Sequence, residues 1–370
     1  MKKIFSLCAA TLCAISMMAT DGALDGKFTI NANGDQVLFS QGNLQYQAST
    51  DTWRFAENQW DTIGAGNQAI SATNEGWIDL FGWATSGWNG GTAVNYQPWA
   101  STNDPGDYAQ EWNYFGYGPD WLDADNHEQY HNIDSLYANY DWGVYNAISN
   151  GGNQAGLWRT LSIDEWDYII NKRPNAKSLR SFGRVETTTT NNGSLFNRGV
   201  FGYFLLSDDA DTVYLNNLLS INSYRWKGDS TNTIPQQAIE FLNGGRADHH
   251  ARLKGAIIFL PFAGYRIIND VSEVNKMGFY WSTTADEYNE SSFNVLISST
   301  SVNVNDEYSI KGRCDGLSVR LVQDCPKTTT AISNVQSDNV QSTKVLRNGQ
   351  LFIIRDGRTY NAQGQEIIVP

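Results

Sequence analysis

Basic residues are few in this 370-residue sequence, and they form no cluster. It contains 26 Lys and Arg against 39 Asp and Glu, which gives a net charge of −13, and it has no run of three or more basic residues. Nucleic acids and anionic membranes bind proteins through clustered positive charge. Duplex nucleic acid and anionic membrane surfaces are therefore poor partners for this chain.

Long apolar runs are also missing, apart from one near the start of the chain. Residues 4–19 are mostly apolar, follow two lysines and lead into small residues, which is the pattern of a secretory signal peptide. The run is too short and wrongly flanked to span a bilayer. We therefore expect a signal peptide over residues 1–20, with cleavage between Ala19 and Ala23. The mature chain is expected to be exported and not membrane-spanning.

Cysteine is scarce, and two of the four cysteines fall within the predicted signal peptide. The other two, Cys314 and Cys325, flank the segment DGLSVRLVQD. In an oxidising compartment such a pair forms a disulfide if the strand geometry brings the two Cβ atoms together. The alternative is two thiols at the ends of a strand, and the sequence does not decide between them.

Catalytic motifs are nearly missing. The chain has no G-x-S-x-G, P-loop or Rossmann glycine pattern. It has one H-E-x-x-H sequence, in which His127 and His131 would bind zinc on one face of a helix and Glu128 would act as general base. No helical apolar stripe precedes it, and Asp134 and Tyr137 stand where the extended motif has Gly and His. We therefore predict a protein that is not an enzyme, and keep a zinc-dependent hydrolase as the rival hypothesis.

The same stretch is rich in carboxylates. Asp123, Asp125 and Glu128 lie close together in DADNHE, and Ca²⁺ prefers oxygen ligands of this kind. The stretch is not an EF-hand loop, because His127 and Glu128 replace the Asn or Asp and the Gly that such a loop needs. An irregular Ca²⁺ site stays open as an alternative, and no other cofactor is predicted.

Aromatic residues are abundant, with 13 Trp, 18 Tyr and 16 Phe. Flat rings stack on the faces of sugars, while Asn and Asp side chains form hydrogen bonds with sugar hydroxyls. The same composition also suits a core that is rich in loops. Composition alone does not separate a carbohydrate-binding surface from such a core.

Two segments carry clear helical signals. Residues 141–152, DWGVYNAISNGG, place apolar residues on one face and end at two glycines. In LSIDEWDYIINKRPN, Ser162 is the predicted N-cap and Glu165 completes a capping box, and the helix is expected to end before Pro174. A third, weaker helix is predicted over residues 235–242.

Short strands account for most of the remaining pattern. Residues 26–56 alternate apolar and polar side chains around two turns, which predicts two or three antiparallel strands. Residues 326–343 are polar and poor in apolar side chains, as a linker is. Residues 344–370 then predict a small β module, which is too small to hold much core alone. Together these patterns favour an α+β fold.

Three sequence blocks, by their order and spacing, resemble one family. They are GLWRTLSIDEWDYI at 156–169, IIFLPFAGYRI at 257–267, and GFYWSTT with GLSVRLV at 278–284 and 316–322. The blocks resemble the paralogous surface-protein domain of Gram-negative anaerobes, which is related to the formylglycine-generating-enzyme branch of the C-type lectin-like fold.

This resemblance implies a C-type lectin-like fold over residues 21–325, with twisted antiparallel sheets, two or three helices and long loops. It also implies that Phe279, Tyr280 and Trp281 begin a core strand, in which alternate side chains are buried. The oxidation chemistry of the formylglycine-generating branch needs cysteines near this tryptophan. It is not expected here, because no cysteine follows before Cys314.

The resemblance further implies where a ligand binds. In such relatives the segment between the last two blocks, here 285–313, is variable and displays ligand-contacting residues. It is rich in Asn, Ser, Tyr and Asp, as recognition loops are. We predict a lectin-like or adhesin-like surface protein that recognises a glycan or another surface protein through residues 285–310, with a solvated hairpin as the alternative. The loops at 85–140 are a second candidate surface. The candidate ligand-binding residues are Tyr288, Asn289, Asn294, Asn303, Asn305 and Tyr308.

The end of the chain resembles a second known element. The segment LRNGQLFIIRDGRTYNAQGQEI is similar to the C-terminal sorting module of the type IX secretion system, although it lacks a basic terminus and ends in Val369 and Pro370. This resemblance implies export across the outer membrane of a Gram-negative bacterium and a cell-surface or extracellular location. A purely structural surface component is a third functional hypothesis.

Overall fold

Strands dominate the structure, and its helices are short. The computed structural model describes residues 22–69, 71–89, 96–100, 131–191, 194–208, 210, 232–235, 257–286, 291–326, 342–347, 350–355, 358–361 and 366–367. This content is compatible with the α+β class expected from the sequence. Within the described ranges no helix is long and apolar enough to cross a membrane.

The strands are mostly short and connected by turns. Those in the described ranges are β1 (Ala23–Thr29), β2 (Gln36–Ser40), β3 (Leu44–Gln47), β4 (Thr52–Phe55), β5 (Trp77–Ile78), β6 (Arg180–Asn191), β7 (Ser194–Leu206), β8 (Asn232–Pro235), β9 (Ile257–Pro261), β10 (Tyr265–Ile267), β11 (Asp270–Ser272), β12 (Met277–Ala285), β13 (Ser291–Ser298), β14 (Val302–Asn303), β15 (Ile310–Gly312), β16 (Val322–Asp324), β17 (Ser342–Arg347), β18 (Gln350–Arg355), β19 (Arg358–Asn361) and β20 (Glu366–Ile367).

Two compact units divide the chain, Met1–Cys325 and Pro326–Pro370. In the first, the described strands form sheets in the orders β1-β2-β16, β4-β3-β5, β8-β6-β7-β9, β10-β11 and β12-β13-β14, with β15 also paired to β13. Pairing is antiparallel except between β6 and β8. The second unit contains the antiparallel sheet β17-β18-β19-β20. The assignment of these parts as a lectin-like domain, a linker and a sorting-like module stays a prediction.

The helical segments are few and have identifiable ends. Ser162 caps one α-helix, and its hydroxyl and the Glu165 side chain form the reciprocal capping box that the sequence predicts. The helix passes into a π-helical turn and ends at Lys172, before Pro174, as expected. The described helical segments are the α-helices Trp142–Tyr145 and Ile163–Asp167, the π-helical Tyr168–Lys172, and the 3-10 segments Ala48–Thr50, Gly64–Gln68, Ser135–Tyr140 and Ala176–Leu179.

The helix predicted over 141–152 is much shorter than expected. Only Trp142–Tyr145 is helical, and the next residue, Asn146, is extended. The side-chain amide of Asn146 donates hydrogen bonds to the backbone carbonyls of Ser86 and Trp142 at 2.8 and 3.1 Å. Asn146 therefore contacts a loop that is distant in sequence as well as the helix itself. The weaker helix predicted over 235–242 lies outside the described residues except for Pro235, which ends β8.

The buried side chains form two large clusters on either side of β12. One is mainly aliphatic and includes residues from β1, β2, β9 and β13. The other is rich in aromatic side chains and contains the buried tryptophans Trp53, Trp83, Trp142, Trp158 and Trp281. Aromatic side chains of this size each bury on the order of 150–250 Å² and dominate the energetics of a core.

β12 carries the MGFYWSTT sequence and is buried on both faces. Tyr280 packs into the aliphatic cluster, whereas Phe279 and Trp281 pack into the aromatic cluster. Successive side chains of a strand point to opposite faces. Because one cluster covers each face of β12, all three side chains are buried, whereas the resemblance implied burial of alternate ones only. The Trp281 indole donates to the Phe81 carbonyl at 2.7 Å, and the Ser282 hydroxyl donates to the Phe293 carbonyl at 2.7 Å.

Candidate functional site

The larger of two described cavities opens at the end of β12. Its volume is about 990 Å³. One wall comes from residues 131–137, and the opposite wall comes from residues 284–286, 293, 305–306 and 310. The second wall lies within the segment that the sequence singles out for ligand recognition, apart from Thr284.

Hydrogen bonds to β12 hold the first wall in place. The Ile133 amide donates to the Thr283 carbonyl at 2.9 Å, and the Asn132 side chain accepts from the Ala285 amide at 3.0 Å. The Ile133 side chain is buried in the aromatic cluster, which attaches this wall to the core. These contacts attach residues 131–133 to the end of a buried strand, so the wall starts from a rigid support.

Beyond this anchor the wall turns back sharply and presents exposed side chains. Ser135 adopts a left-handed backbone conformation with φ of 48°, which is uncommon for a residue other than glycine, Asn or Asp. The Tyr137 amide donates to the Asp134 carbonyl at 2.7 Å and closes the turn. Leu136, between them, is 94% exposed. An apolar side chain therefore lies at the rim, where a ligand can cover it.

A stacked aromatic pair contributes to the same wall. The rings of His131 and Tyr137 lie 4.3 Å apart at an interplanar angle of 19°. The Nε2 atom of His131 is buried and has no hydrogen-bond partner within the described ranges. Both side chains are partly buried and line the cavity, so the wall is aromatic at this point.

The opposite wall is a turn fixed by its own side chains. The Asp306 carboxylate accepts from the Tyr308 amide and from the Asn303 amide group, both at 3.0 Å. Asn305 has a φ of 57°, and its side chain donates to Asp164 at 3.3 Å. This last contact ties the turn to the first turn of the capped helix. The turn is therefore held in shape before any ligand arrives.

The cavity is acidic. Asp134, Asp286 and Asp306 line it, and no Lys or Arg lines it among the residues that the structure describes. Carboxylates only accept hydrogen bonds when ionised, so they pair with donors such as hydroxyl or ammonium groups. The arrangement favours neutral polyhydroxylated or cationic ligands and disfavours anionic ones.

A buried carboxylate supports the first wall from behind. Asp141 follows the Ser135–Tyr140 segment and accepts from the amides of Gly143 at 2.9 Å and Thr160 at 2.7 Å. Burial disfavours its charged form and raises the pKa of Asp141 to about 6, although these hydrogen bonds oppose the shift. Asp141 thereby links the end of the cavity wall to the core.

Of the six binding residues predicted from the sequence, some lie at or near the cavity, one is buried, and two lie outside the described residues. Asn305 lines the cavity, and Asn303 and the 65% exposed Tyr308 lie in the turn next to it. Asn294 pairs with Trp281 across β12 and β13 and is fully buried, so it does not contribute to the described surface. Tyr288 and Asn289 lie outside the described residues.

The metal hypotheses fall mostly on the undescribed part of the chain. Of the H-E-x-x-H residues only His131 is described, and His127 and Glu128 are not. Asp123 and Asp125, the other candidate Ca²⁺ ligands, also lie outside the described residues. Within the described ranges no group of three or more His, Cys, Asp or Glu side chains is placed to hold a metal ion.

Cys314 and Cys325 are not bonded to each other in the structure. Cys314 is buried beside Ala100. Cys325 follows β16, and its amide donates to the Gln36 carbonyl at 2.8 Å. The disulfide stays a prediction, which a thiol titration of the protein purified under oxidising conditions would test.

Comparisons of the chain with protein-family models, with curated proteins and with solved structures find no match. The function is therefore argued from the cavity and its chemistry. Sequence reasoning named one wall of this cavity through residues 285–310. Residues 132–137 fall within the second candidate surface, the loops at 85–140, but the sequence singled out no individual binding residue among them.

Proposed function

We propose that the chain is an exported, non-catalytic binding protein with a C-type lectin-like fold, which holds a neutral saccharide in the acidic cavity at the end of β12. The observation that carries the proposal is the combination of a stacked His131 and Tyr137 pair with three carboxylates around one concavity. Sugar rings offer an apolar face and a rim of hydroxyl donors, which match these two features.

The size of the cavity supports a small ligand. Ligand-binding pockets commonly measure roughly 300–1,000 Å³, and this one measures about 990 Å³. A stable protein partner would instead need on the order of 800 Å² of surface from each side. The concave, acidic cavity suits a short oligosaccharide better than a flat protein surface.

The surroundings of the cavity support recognition without chemistry. Its walls are attached to a strand buried on both faces, and the Asp306 turn is held by its own hydrogen bonds. A preformed site loses less entropy on binding than one that must order itself. Export through a type IX system to the cell surface belongs to the same proposal, and the separate β17–β20 sheet supports it.

A glycan array tests the proposal. The chain from residue 21 onward is screened in Ca²⁺ and again in EDTA, alongside Asp134→Asn and the control Asp270→Asn. Asp134 is exposed in the cavity wall, whereas Asp270 is exposed in the β10–β11 hairpin, so both variants lose one surface charge. We expect neutral saccharides to bind the parent and the control, and Asp134→Asn to bind about tenfold more weakly.

The outcomes separate the hypotheses. Loss of binding in EDTA would add Ca²⁺ to the site. No saccharide binding in either buffer would contradict the proposal, and self-assembly of the same sample would then favour a structural surface component. Equal binding by both variants would move the site away from this cavity.

The rival zinc hydrolase is favoured by one observation. The His131 Nε2 atom is buried and has no hydrogen-bond partner in the described part of the chain, which is costly for a polar atom and would be relieved by a bond to a metal ion. Metal analysis of the exported protein tests it directly. Stoichiometric zinc that is lost in His131→Ala would support the hydrolase, and a stable metal-free protein would contradict it.

A further inference from the structure

A second cavity has the opposite electrical character. It measures about 350 Å³ and lies where β6 and β7 approach the turn between β13 and β14. Lys177 and Arg180 line it, and no Asp or Glu lines it among the described residues. In a chain with a net charge of −13 this is a local concentration of positive charge.

Arg180 is partly buried, and its side chain lines this cavity. Its Nη1 atom is buried and has no hydrogen-bond partner among the residues that the structure describes. Tyr203, which is buried, lines the same cavity, and the neighbouring Arg180 opposes the rise in the pKa of Tyr203 that burial causes. A guanidinium carries five N–H donors and a permanent positive charge, so an anionic acceptor in the cavity would form charge-assisted hydrogen bonds with Arg180.

Hydroxyl groups form the other side of the cavity. Residues 298–301 are Ser, Ser, Thr and Ser, and all four line it. The Ser298 hydroxyl accepts from the amides of Thr300 at 3.2 Å and Ser301 at 3.0 Å, so the turn is fixed. Ser299, Thr300 and Ser301 are exposed at its tip, and their hydroxyls supply neutral donors opposite the two cations.

We propose that this second cavity binds a tetrahedral oxyanion, a sulfate or phosphate group, between Arg180, Lys177 and the hydroxyls of residues 298–301. The guanidinium offers N–H donors in a planar fork that matches two oxygens of such a group, and the ammonium of Lys177 adds a point charge. The hydroxyls satisfy the remaining oxygens. A cavity of about 350 Å³ has room for the sugar unit that would carry a sulfate or phosphate ester.

This site is separate from the saccharide cavity proposed above. The two cavities share no lining residue, and their charges are opposite. A protein that binds no oxyanion could still bind a saccharide in the acidic cavity, and a protein that binds no saccharide could still bind an oxyanion here. The two proposals together describe a chain that binds a neutral sugar at one place and an anionic group at another.

Calorimetric titration tests the proposal with three probes: sodium sulfate, sodium phosphate, and a sulfated disaccharide compared with its desulfated form. We expect the parent to bind sulfate or phosphate, and Arg180→Gln to bind roughly tenfold more weakly. Tighter binding of the sulfated disaccharide than of free sulfate would identify an ester as the ligand. Equal binding would identify the free ion.

Matched variants separate a site from a general charge effect. Lys177→Gln removes an exposed charge at the cavity, and Lys276→Gln removes one from an exposed lysine outside it. We expect sulfate to bind about threefold more weakly to Lys177→Gln than to the parent at low salt, and equally well to Lys276→Gln. Since Lys177 is exposed, this variant tests the site even if Arg180→Gln fails to fold. No binding by the parent, or equal loss in both lysine variants, would overturn the proposal.

Thermal unfolding gives an independent readout. Sulfate stabilises most proteins because it is excluded from their surfaces, so the relevant quantity is the difference between parent and variant. At equal ionic strength we expect sulfate to raise the Tm of the parent more than chloride does. The difference in Tm between sulfate and chloride should be smaller in Arg180→Gln than in the parent. An identical response to sulfate in the two proteins would contradict the site.

Discussion

β12 and the cavity wall that it supports are neighbours with opposite properties. Phe279, Tyr280 and Trp281 are almost completely buried and pack into two clusters. Leu136, in the adjoining wall, is 94% exposed. The difference separates two roles, because the strand residues determine stability whereas the rim residues are available for a ligand. Changes in the strand should therefore unfold the protein, and changes at the rim should alter binding alone.

The largest effect is expected from the strand. Trp281→Ala removes a fully buried side chain and its hydrogen bond to the Phe81 carbonyl. We expect the free energy of unfolding to fall by about 3–5 kcal/mol. Urea unfolding measures this, with Trp77→Ala as the control, since Trp77 is only half-buried. A loss from Trp281→Ala no larger than that of the control would remove the distinction between strand and surface.

Next in size is a pH effect from Asp141, which supports the wall from the core. Its pKa is raised from 3.8 to about 6 mainly by burial, so the folded state favours the protonated form. The resulting stabilisation is fully present below about pH 4 and is lost as pH rises through about 6, a change of roughly 2–3 kcal/mol. Asp141→Asn does not titrate and should show a shallower fall in urea stability between these pH values. The same fall in both proteins would contradict the assignment.

A smaller effect is expected at the capped helix next to the cavity. Ser162→Ala removes the hydroxyl that accepts from the Glu165 amide at 3.2 Å. We expect a loss of about 1 kcal/mol in the free energy of unfolding. Ser299→Ala, at an exposed serine outside any helix cap, should change it by less than about 0.5 kcal/mol. Equal effects of the two substitutions would show that the capping box contributes nothing.

The smallest effect on stability is expected at the rim. Leu136→Ser changes a 94% exposed side chain, so the free energy of unfolding should stay within about 0.5 kcal/mol of the parent. Saccharide affinity should nevertheless fall, because Leu136 lines the cavity. Thermal unfolding and titration of the same sample check both parts. A strongly destabilised variant would show that the rim is part of the core.

Local features of the fold could be predicted from the sequence. The capping box depends on Ser162 and Glu165 within one turn, and the structure contains it. The family resemblance implies a core strand at Phe279, Tyr280 and Trp281, and these residues lie in β12, although burial on both faces depends on two clusters assembled from distant strands. The 141–152 helix was predicted too long, because the hydrogen bond from Asn146 to Ser86 is not visible in a local pattern.

The site was predictable only in part, for the same reason. The family resemblance, together with the composition of the segment, pointed to residues 285–310, and Asn305 lines the cavity. Composition could not show that Asn294 faces the interior, because this follows from its pairing with Trp281. Residues 131–137 form the other wall through the hydrogen bond between Asn132 and Ala285, two residues 153 positions apart. A pairing over such a distance leaves no periodic signal in the chain.

The central claim is that the aromatic pair in the acidic cavity holds a saccharide. Calorimetric titration of a saccharide from the array into the parent, Tyr137→Ala and Tyr145→Ala tests it most directly. Tyr145 is 38% exposed and packs on Trp88 outside the cavity, so it controls for loss of a surface tyrosine. We predict at least about tenfold weaker binding for Tyr137→Ala, since ring stacking and its support of His131 are lost, and unchanged binding for Tyr145→Ala. Equal affinities of all three proteins would contradict the account.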